Sequence, residues 1–320
     1  MRFERTDDEK EIFIRLNGLR ALLAITVLFS HIWGYTGLVF LVPFNKAVTI
    51  AVYLFFVLSG YGLMRSYQRK KGYIKSIFML KIPHLIFMAV MAYIVSAFVQ
   101  MLLGVTEKGE ECYLPFGVTS LLRTTNWYVY ELMAYYIIFS LVTRISNKYI
   151  MIGVIMLCTI AGFVILFHSG LVEAYYNSIF GFVTGAVLGR FDYSDILKHT
   201  FSGFMVGGIM LLVSFGLMFV LNKDSMTFAL VRNFAGCGAA IFLLYFCRYI
   251  KIDNGINRYI CKMSPELYFY HMPIAVLFSK VITDPYIYML LVIAVSFVMA
   301  VVFNIFDGFI HERWVKLIRK

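Results

Sequence analysis

Charge is scarce in this chain of 320 residues: only 15% are Asp, Glu, Lys or Arg, while 61% are hydrophobic. An ordinary soluble domain is closer to half apolar, so the shortage excludes that class and points to a protein that lives in a bilayer. Acidic residues are the scarcer sign, 18 against 29 Lys and Arg, which leaves a net charge of +11 and a pI of about 9.3. The five cysteines, Cys112, Cys158, Cys237, Cys247 and Cys261, are an odd set with Cys112 alone clearly on an outer segment, so no disulfide framework is implied. No CxxC pair or His/Cys cluster has metal-ligand spacing, and no metal is expected. No long Pro/Gly/Ser linker interrupts the chain, so a single membrane domain over 1–320 with no appended soluble domain is expected. Met1 to Lys10 are polar and mixed in charge, unlike a cleaved signal peptide, and the first apolar span is read as the insertion signal. No internal repeat pairs two halves, as many transporters do.

What is present is length of apolar run, with a mean hydropathy of +0.80. A window near 19 residues marks about ten spans: 17–41, 47–65, 82–104, 126–143, 149–168, 173–189, 202–221, 227–247, 263–282 and 286–306. The expected fold class is therefore all-α, a polytopic membrane protein. Of the 29 Lys and Arg, 22 fall in alternate segments (1–16, 65–81, 144–148, 190–198, 248–262 and 313–320), six in the others, and Arg20 inside a span. Positive charge marks the cytoplasmic side, so both termini are expected there. The same asymmetry explains the pI without nucleic acid. The longest outer segment, 105–125, carries Glu107, Glu110 and Glu111, and the longest inner one, 65–81, is the most basic. That inner loop reads as a topology signal with anionic lipid contacts, or as a binder of a polyphosphorylated molecule.

Ionisable residues inside spans are costly and usually face a protein interior or wet cavity. Arg20 and His31 are eleven residues apart on the first span. At 100° per residue eleven steps overshoot three turns by about 20°, so both project from one face, about 16 Å apart along the axis. His31 falls near mid-membrane, where a neutral imidazole can take a proton from a hydroxyl; the alternative is a ring that hydrogen-bonds across two helices. Arg20 either snorkels to the headgroups or turns inward as a fork for phosphate or carboxylate. Asn17 reads as a helix cap or a ligand.

Four other places carry the same double reading. In Leu58-Ser59-Gly60-Tyr61-Gly62 the glycines suit tight helix packing, or Ser59, Gly60 and Tyr61 line a path by which a substrate reaches His31. Trp127 and Tyr128 suit an interfacial belt, whereas Glu131 is a carboxylate within a span and rarely idle. His271, in Ser264-Pro265-Glu266-Leu267-Tyr268-Phe269-Tyr270-His271-Met272-Pro273, falls at a depth similar to His31, and the two meet across a cavity or each serves a structural hydrogen bond. Pro273 removes a backbone donor and frees a carbonyl.

The motifs in order resemble the membrane acyltransferase 3 family over essentially the whole chain. Its first-span pattern of Arg, ten residues and His is similar to Arg20 and His31. Phe55-Phe56-Val57-Leu58-Ser59-Gly60-Tyr61 resembles its second-span signature, Asn126-Trp127-Tyr128 with Glu131 its fourth, and Ser264 through His271 a segment near its end. The family often has two arginines three apart at the start of its third span. Here Phe78 and Lys81 hold those places, ahead of His84, and either Lys81 or His84 takes over the cationic role. Many members have Asp where this chain has Asn17.

The resemblance implies transfer of an acyl group, commonly acetyl from cytoplasmic acetyl-CoA, to a hydroxyl of a cell-envelope glycan or related acceptor. His31 is then the base or a transient acyl carrier, and Arg20 orients it or holds a CoA phosphate with Lys81 and His84. Ser59, Tyr61, Trp127, Glu131 and His271 are expected on the acceptor side. The partners implied are the acyl-CoA donor, the acceptor, the lipid bilayer of the cytoplasmic membrane, and a separate extracytoplasmic transferase where transfer is completed outside. A secondary transporter or lipid-linked sugar exporter is the alternative that polar mid-depth groups allow; a receptor or scaffold would need no intramembrane histidine.

Overall fold

The computed structural model describes residues 7–103, 127–190, 200–246 and 254–318, and every regular element among them is helical. The principal helices are α1 (Asp7–Thr36), α2 (Val42–Arg69), α3 (Ile82–Leu103), α4 (Trp127–Val142), α5 (Lys148–His168), α6 (Gly181–Arg190), α7 (Thr200–Val220), α8 (Met226–Phe246), α9 (Gly255–Lys262), α10 (Ser264–Val281) and α11 (Pro285–Ile318). Single turns at Tyr73–Ser76 and Ala174–Asn177, and a π-helical stretch at Ile77–Lys81, join some of them. Glu107, Lys108, Glu110, Glu111, Cys112, Arg123, Asn126, Lys198, Cys247, Arg248 and Lys251 lie outside the described residues.

Local chemistry sets the helix ends. Asn147 Oδ1 accepts from the amides of Tyr149 (2.9 Å) and Ile150 (3.3 Å) at the start of α5. Asp284 Oδ1 does the same for Tyr286 and Ile287, both at 2.9 Å, ahead of α11. Each satisfies amides that the first turn leaves without a helical partner. Gly37 closes α1, its N–H donating to Trp33 O at 2.8 Å with a φ of 64° that side-chain-bearing residues rarely adopt. Asn17 is no cap: α1 begins ten residues before it.

Among the described residues seven stretches are long and apolar enough to cross a membrane: Gly18–Thr36, Val39–Arg69, Tyr73–Val99, Tyr149–His168, Phe201–Val220, Met226–Phe246 and Pro285–Leu317. The three remaining sequence spans take other forms. Trp127–Val142 is apolar but only 16 residues long. The 173–189 segment is broken into the turn Ala174–Asn177 and the ten-residue α6. Helix α10 has 18 residues, yet Glu266, His271, two prolines and Lys280 dilute its apolar character. It buries Ser264, Glu266 and His271 in protein, the surroundings polar groups require in such a helix.

The chain divides into two compact units: Met1–Leu23, Thr49–Ile74 and Ala134–Cys261 form one, and Ala24–Val48, Lys75–Met133 and Lys262–Lys320 the other. In the first unit glycines let helices meet backbone to backbone. A Cβ on Gly60 would strike Phe182 O, one on Gly185 would strike Val57 O, and one on Gly181 would lie 2.5 Å from Tyr53 O. Helices α2 and α6 therefore pack through small residues, the device that replaces hydrophobic drive where all surfaces are apolar. A polar tie locks this contact, the Tyr53 and Thr184 hydroxyls sharing a hydrogen bond of 2.8 Å, while Tyr135 OH on α4 donates to Ile179 O just before α6 at 2.6 Å. Helices α7 and α8 repeat the device, with a Cβ on Gly207 falling 2.6 Å from Phe242 N and 2.9 Å from Gly238 O.

The second unit packs α10 against α3 and α11. Its core gathers Met88, Ala89, Ala92, Val129, Phe269, Tyr270 and Ile274, and Tyr270 stacks on Phe303 with centroids 3.9 Å apart.

Gly185→Leu is expected to drive backbone apart at the α2–α6 contact and cost more than the roughly 1–3 kcal/mol usual for overpacking, because the obstacle is a carbonyl rather than a movable side chain. Gly62→Ala, where a Cβ meets nothing within 4 Å, serves as the control. Thermal unfolding of the purified proteins in nanodiscs reads both; equal stability would contradict the close approach.

Candidate functional site

Helix α10 builds the most polar part of the second unit's interior. Its His271 is buried, 2% exposed, and Nδ1 lies 2.9 Å from the carbonyl oxygen of Leu267, one turn earlier. A carbonyl can only accept, so Nδ1 carries a proton and the neutral ring presents its lone pair at Nε2. That Nε2 is buried and makes no hydrogen bond among the described residues. The partly buried ring of His31 on α1 is its neighbour, with centroids 5.1 Å apart and planes at 41°. The structure thus brings together the two histidines that the sequence separates by 240 positions.

Aromatic rings continue from there. Tyr268 lies 6.0 Å from His271 and 5.1 Å from Tyr128, which in turn meets Trp127 at 6.2 Å, all between centroids. Glu131, one turn along α4 from Tyr128, is 7% exposed, and neither carboxyl oxygen has a hydrogen-bond partner among the described residues. A buried polar group left this way costs about 1–3 kcal/mol, and functional sites are where such groups persist.

A second polar cluster joins α3 to α11. His84 Nδ1 lies 3.3 Å from Asp307 Oδ1, and the His84 and His311 rings meet edge to face at 5.6 Å. Asn304 donates to Glu266 Oε1 at 2.9 Å and Lys262 O at 3.3 Å, and Trp314 Nε1 donates to Met79 O at 2.8 Å. Asn304, Asp307, His311 and Trp314 follow helical spacing along one stripe of α11. His84, read from sequence as a donor-binding cation, is engaged here by a carboxylate. Lys81 closes the π-helical stretch one turn before it. The stripe escaped sequence reading because the last span was ended at 306; the i, i+4 pair Asp307 and His311 at the end of an apolar run was the available signal.

Arg20, Ser59 and Tyr61 belong to the first unit. Arg20 and Ser59 are partly buried and Tyr61 is buried. Tyr61 lines a small apolar cavity with Leu19, Leu54, Val57, Leu58 and Leu188, and the Arg65 guanidinium lies 5.8 Å from its ring centroid. Gly60 serves packing, as shown by its approach to Phe182. Helix α1 runs unbroken through Arg20 and His31, which keeps their three-turn spacing on one face.

The sequence pattern Acyl_transf_3, described as an acyltransferase domain, matches residues 13–306. The chain belongs to the acyltransferase 3 family. Neither the curated proteins nor the solved structures contain a significant match. The family match covers Arg20, His31, Ser59, Tyr61, Lys81, His84, Trp127, Glu131 and His271, and stops one residue short of Asp307. As a member of this family, with seven helices among the described residues apolar and long enough to cross a bilayer, the protein is a multi-pass membrane acyltransferase. Among the described residues no group of three His, Cys, Asp or Glu could hold a metal ion.

Asp307→Leu is expected to lower stability by about 1 kcal/mol, since it removes the carboxylate that lies 3.3 Å from His84 Nδ1 in partly buried surroundings. Asp307→Asn retains an acceptor oxygen and should cost less. Thermal unfolding of the two variants measures the difference, and an equal loss would show that shape rather than the polar contact matters there.

Proposed function

We propose that this protein is an integral membrane O-acyltransferase that moves an acyl group, acetyl in the simplest case, from cytoplasmic acetyl-CoA to a hydroxyl of a cell-envelope or extracellular glycan. The observation that carries the reading is the family match over 13–306 together with the His31 imidazole beside a second buried imidazole. The reaction joins the acceptor oxygen to the acyl carbon and breaks the carbon–sulfur bond. The hydroxyl proton has to leave as the bond forms, and His31 is the base that takes it and returns it to the departing sulfur. Burial among apolar helices suits the task, because an imidazole there has no bulk water competing for its lone pair.

Arg20 projects from the His31 face of α1, nearer the N-terminal end, and its planar fork suits a phosphate of the donor. Lys81 is proposed to assist, and His84 would have to leave Asp307 to do so. Trp127, Glu131 and His271 are the acceptor-side candidates of the second unit, and Ser59 with Tyr61 those of the first. The wider arrangement proposed is about ten spans with both termini in the cytoplasm of the cell membrane. Its partners are acyl-CoA, the glycan and, where transfer is finished outside, a separate extracytoplasmic transferase.

The test is release of CoA thiol from acetyl-CoA by membrane vesicles holding equal amounts of wild type and variants. His31→Ala is expected to lower kcat by about 10²–10⁴-fold, and Arg20→Lys to raise KM for acetyl-CoA about tenfold through loss of a bidentate contact. An undiminished rate in His31→Ala would refute the proposal, as would a wild-type rate no greater than that of vesicles lacking the protein.

A further inference from the structure

The His271 ring has only one way to interact with a new neighbour. Its Nδ1–H is committed to Leu267 O at 2.9 Å, so Nε2 is held as an acceptor, and that atom is buried with no hydrogen-bond donor among the described residues. A ring nitrogen lies about 1.1 Å from its centroid, so the 5.1 Å between the His31 and His271 centroids leaves about 3 Å between two facing nitrogens, the length of an N–H···N hydrogen bond. In the structure the rings are tilted by 41° and that bond is not made. Rotation about χ2, a broad torsion, is the adjustment required, and it falls to His31 because His271 is tied to its own helix.

A base of this kind needs its second nitrogen occupied. An imidazole that draws a proton from a hydroxyl must present a lone pair to it, so its other nitrogen bears the N–H and wants an acceptor. In hydrolytic triads a carboxylate fills that place and selects the tautomer. We infer that His271 fills it here: Nε2 accepts the N–H of His31 and thereby leaves the remaining His31 nitrogen with the lone pair that meets the acceptor hydroxyl.

His271 is on this view a positioning residue, touching neither donor nor acceptor, and the inference rests on His31 being the base. Its balance is simple. The hydroxyl proton passes to His31, the oxygen bonds to the acyl carbon, the carbon–sulfur bond breaks, and the proton goes on to sulfur. His271 begins and ends with its proton on Nδ1. An imidazole in this place, rather than a carboxylate, keeps the pair free of net charge until the proton moves, which matters inside an apolar helix bundle.

Two substitutions separate the two nitrogens. His271→Asn keeps a donor at the Nδ1 position for Leu267 O and loses the distal acceptor; His271→Gln loses that tie and puts a carbonyl oxygen near the place of Nε2. Both are compared with wild type in membrane vesicles at matched abundance, following CoA thiol release from acetyl-CoA, with thermal unfolding measured alongside. The expected order is His271→Gln above His271→Asn, with Asn losing about 10²–10⁴-fold in kcat at a KM for acetyl-CoA close to wild type. In the double variant His31→Ala with His271→Asn, no further loss beyond His31→Ala is expected, because residues that act as a unit are not additive. If the role were only to hold α10, activity would follow the Leu267 tie. Asn equal to or above Gln, or additive losses, would overturn the inference. His31→Ala keeps the two failures apart: a loss there with His271 variants unaffected sinks the positioning role alone, whereas full activity in His31→Ala sinks the base assignment beneath it.

Discussion

A polar side chain on an apolar helix has to be satisfied by protein, because lipid offers no hydrogen bond and a bare polar group in hydrocarbon costs several kcal/mol. Much of the second unit follows from that constraint. Helix α10 carries Glu266 and His271 and two prolines, so it cannot face acyl chains along its length. It is packed against α3 and α11, and its polar groups find partners on α11 and on α10 itself: Asn304 reaches Glu266, Tyr288 OH donates to Ala275 O at 3.1 Å, and His271 donates to Leu267 O. The groups left over among the described residues of this unit, Nε2 of His271, both oxygens of Glu131, Oε2 of Glu266, Oγ of Ser296 and Oδ1 of Asp307, are then the places where the fold tolerates a cost that packing alone does not explain.

The two units hold their helices together by different means. In the first, the absence of side chains is the device: Gly60, Gly181 and Gly185 bring α2 and α6 close enough that carbonyl oxygens touch the opposing helix. Dispersion and a few hydroxyl ties such as Tyr53 to Thr184 then act over short distances. In the second, a polar stripe on α11 contributes. Asn304, Asp307 and Trp314 each reach a group on another element, at Glu266, His84 and Met79 in turn. The first arrangement tolerates no added methyl at its contacts; the second tolerates substitution only where an acceptor or donor survives.

The histidine pair ties this architecture to chemistry. A lone imidazole in an apolar layer can hydrogen-bond anything; one whose tautomer is held by its own helix, next to another imidazole 5.1 Å away, has a direction. Membership of the acyltransferase 3 family supplies the class of reaction, and the geometry places two imidazoles side by side within one unit. The prolines of α10 leave its helix continuous from Ser264 to Val281, so the His271 to Leu267 tie is a matter of one helical turn and survives any motion that leaves the helix whole.

Hydropathy and periodicity by themselves determined that the chain is helical and apolar, where most long helices run, and that Arg20 and His31 share a face of α1, since these are properties of neighbours in sequence. They also marked Glu131 and His271 as residues whose surroundings would need explaining. Tertiary structure alone decided which of the marked residues meet. It set His271 beside His31, engaged His84 with an Asp307 that a span boundary had cut away, turned Gly60 to packing, and broke the 173–189 run into two short helices. It also denied Asn17 its cap by extending α1 to Asp7. The reason is physical: a hydropathy window sums over consecutive residues, whereas the partner of a buried polar atom is chosen by packing between helices far apart along the chain.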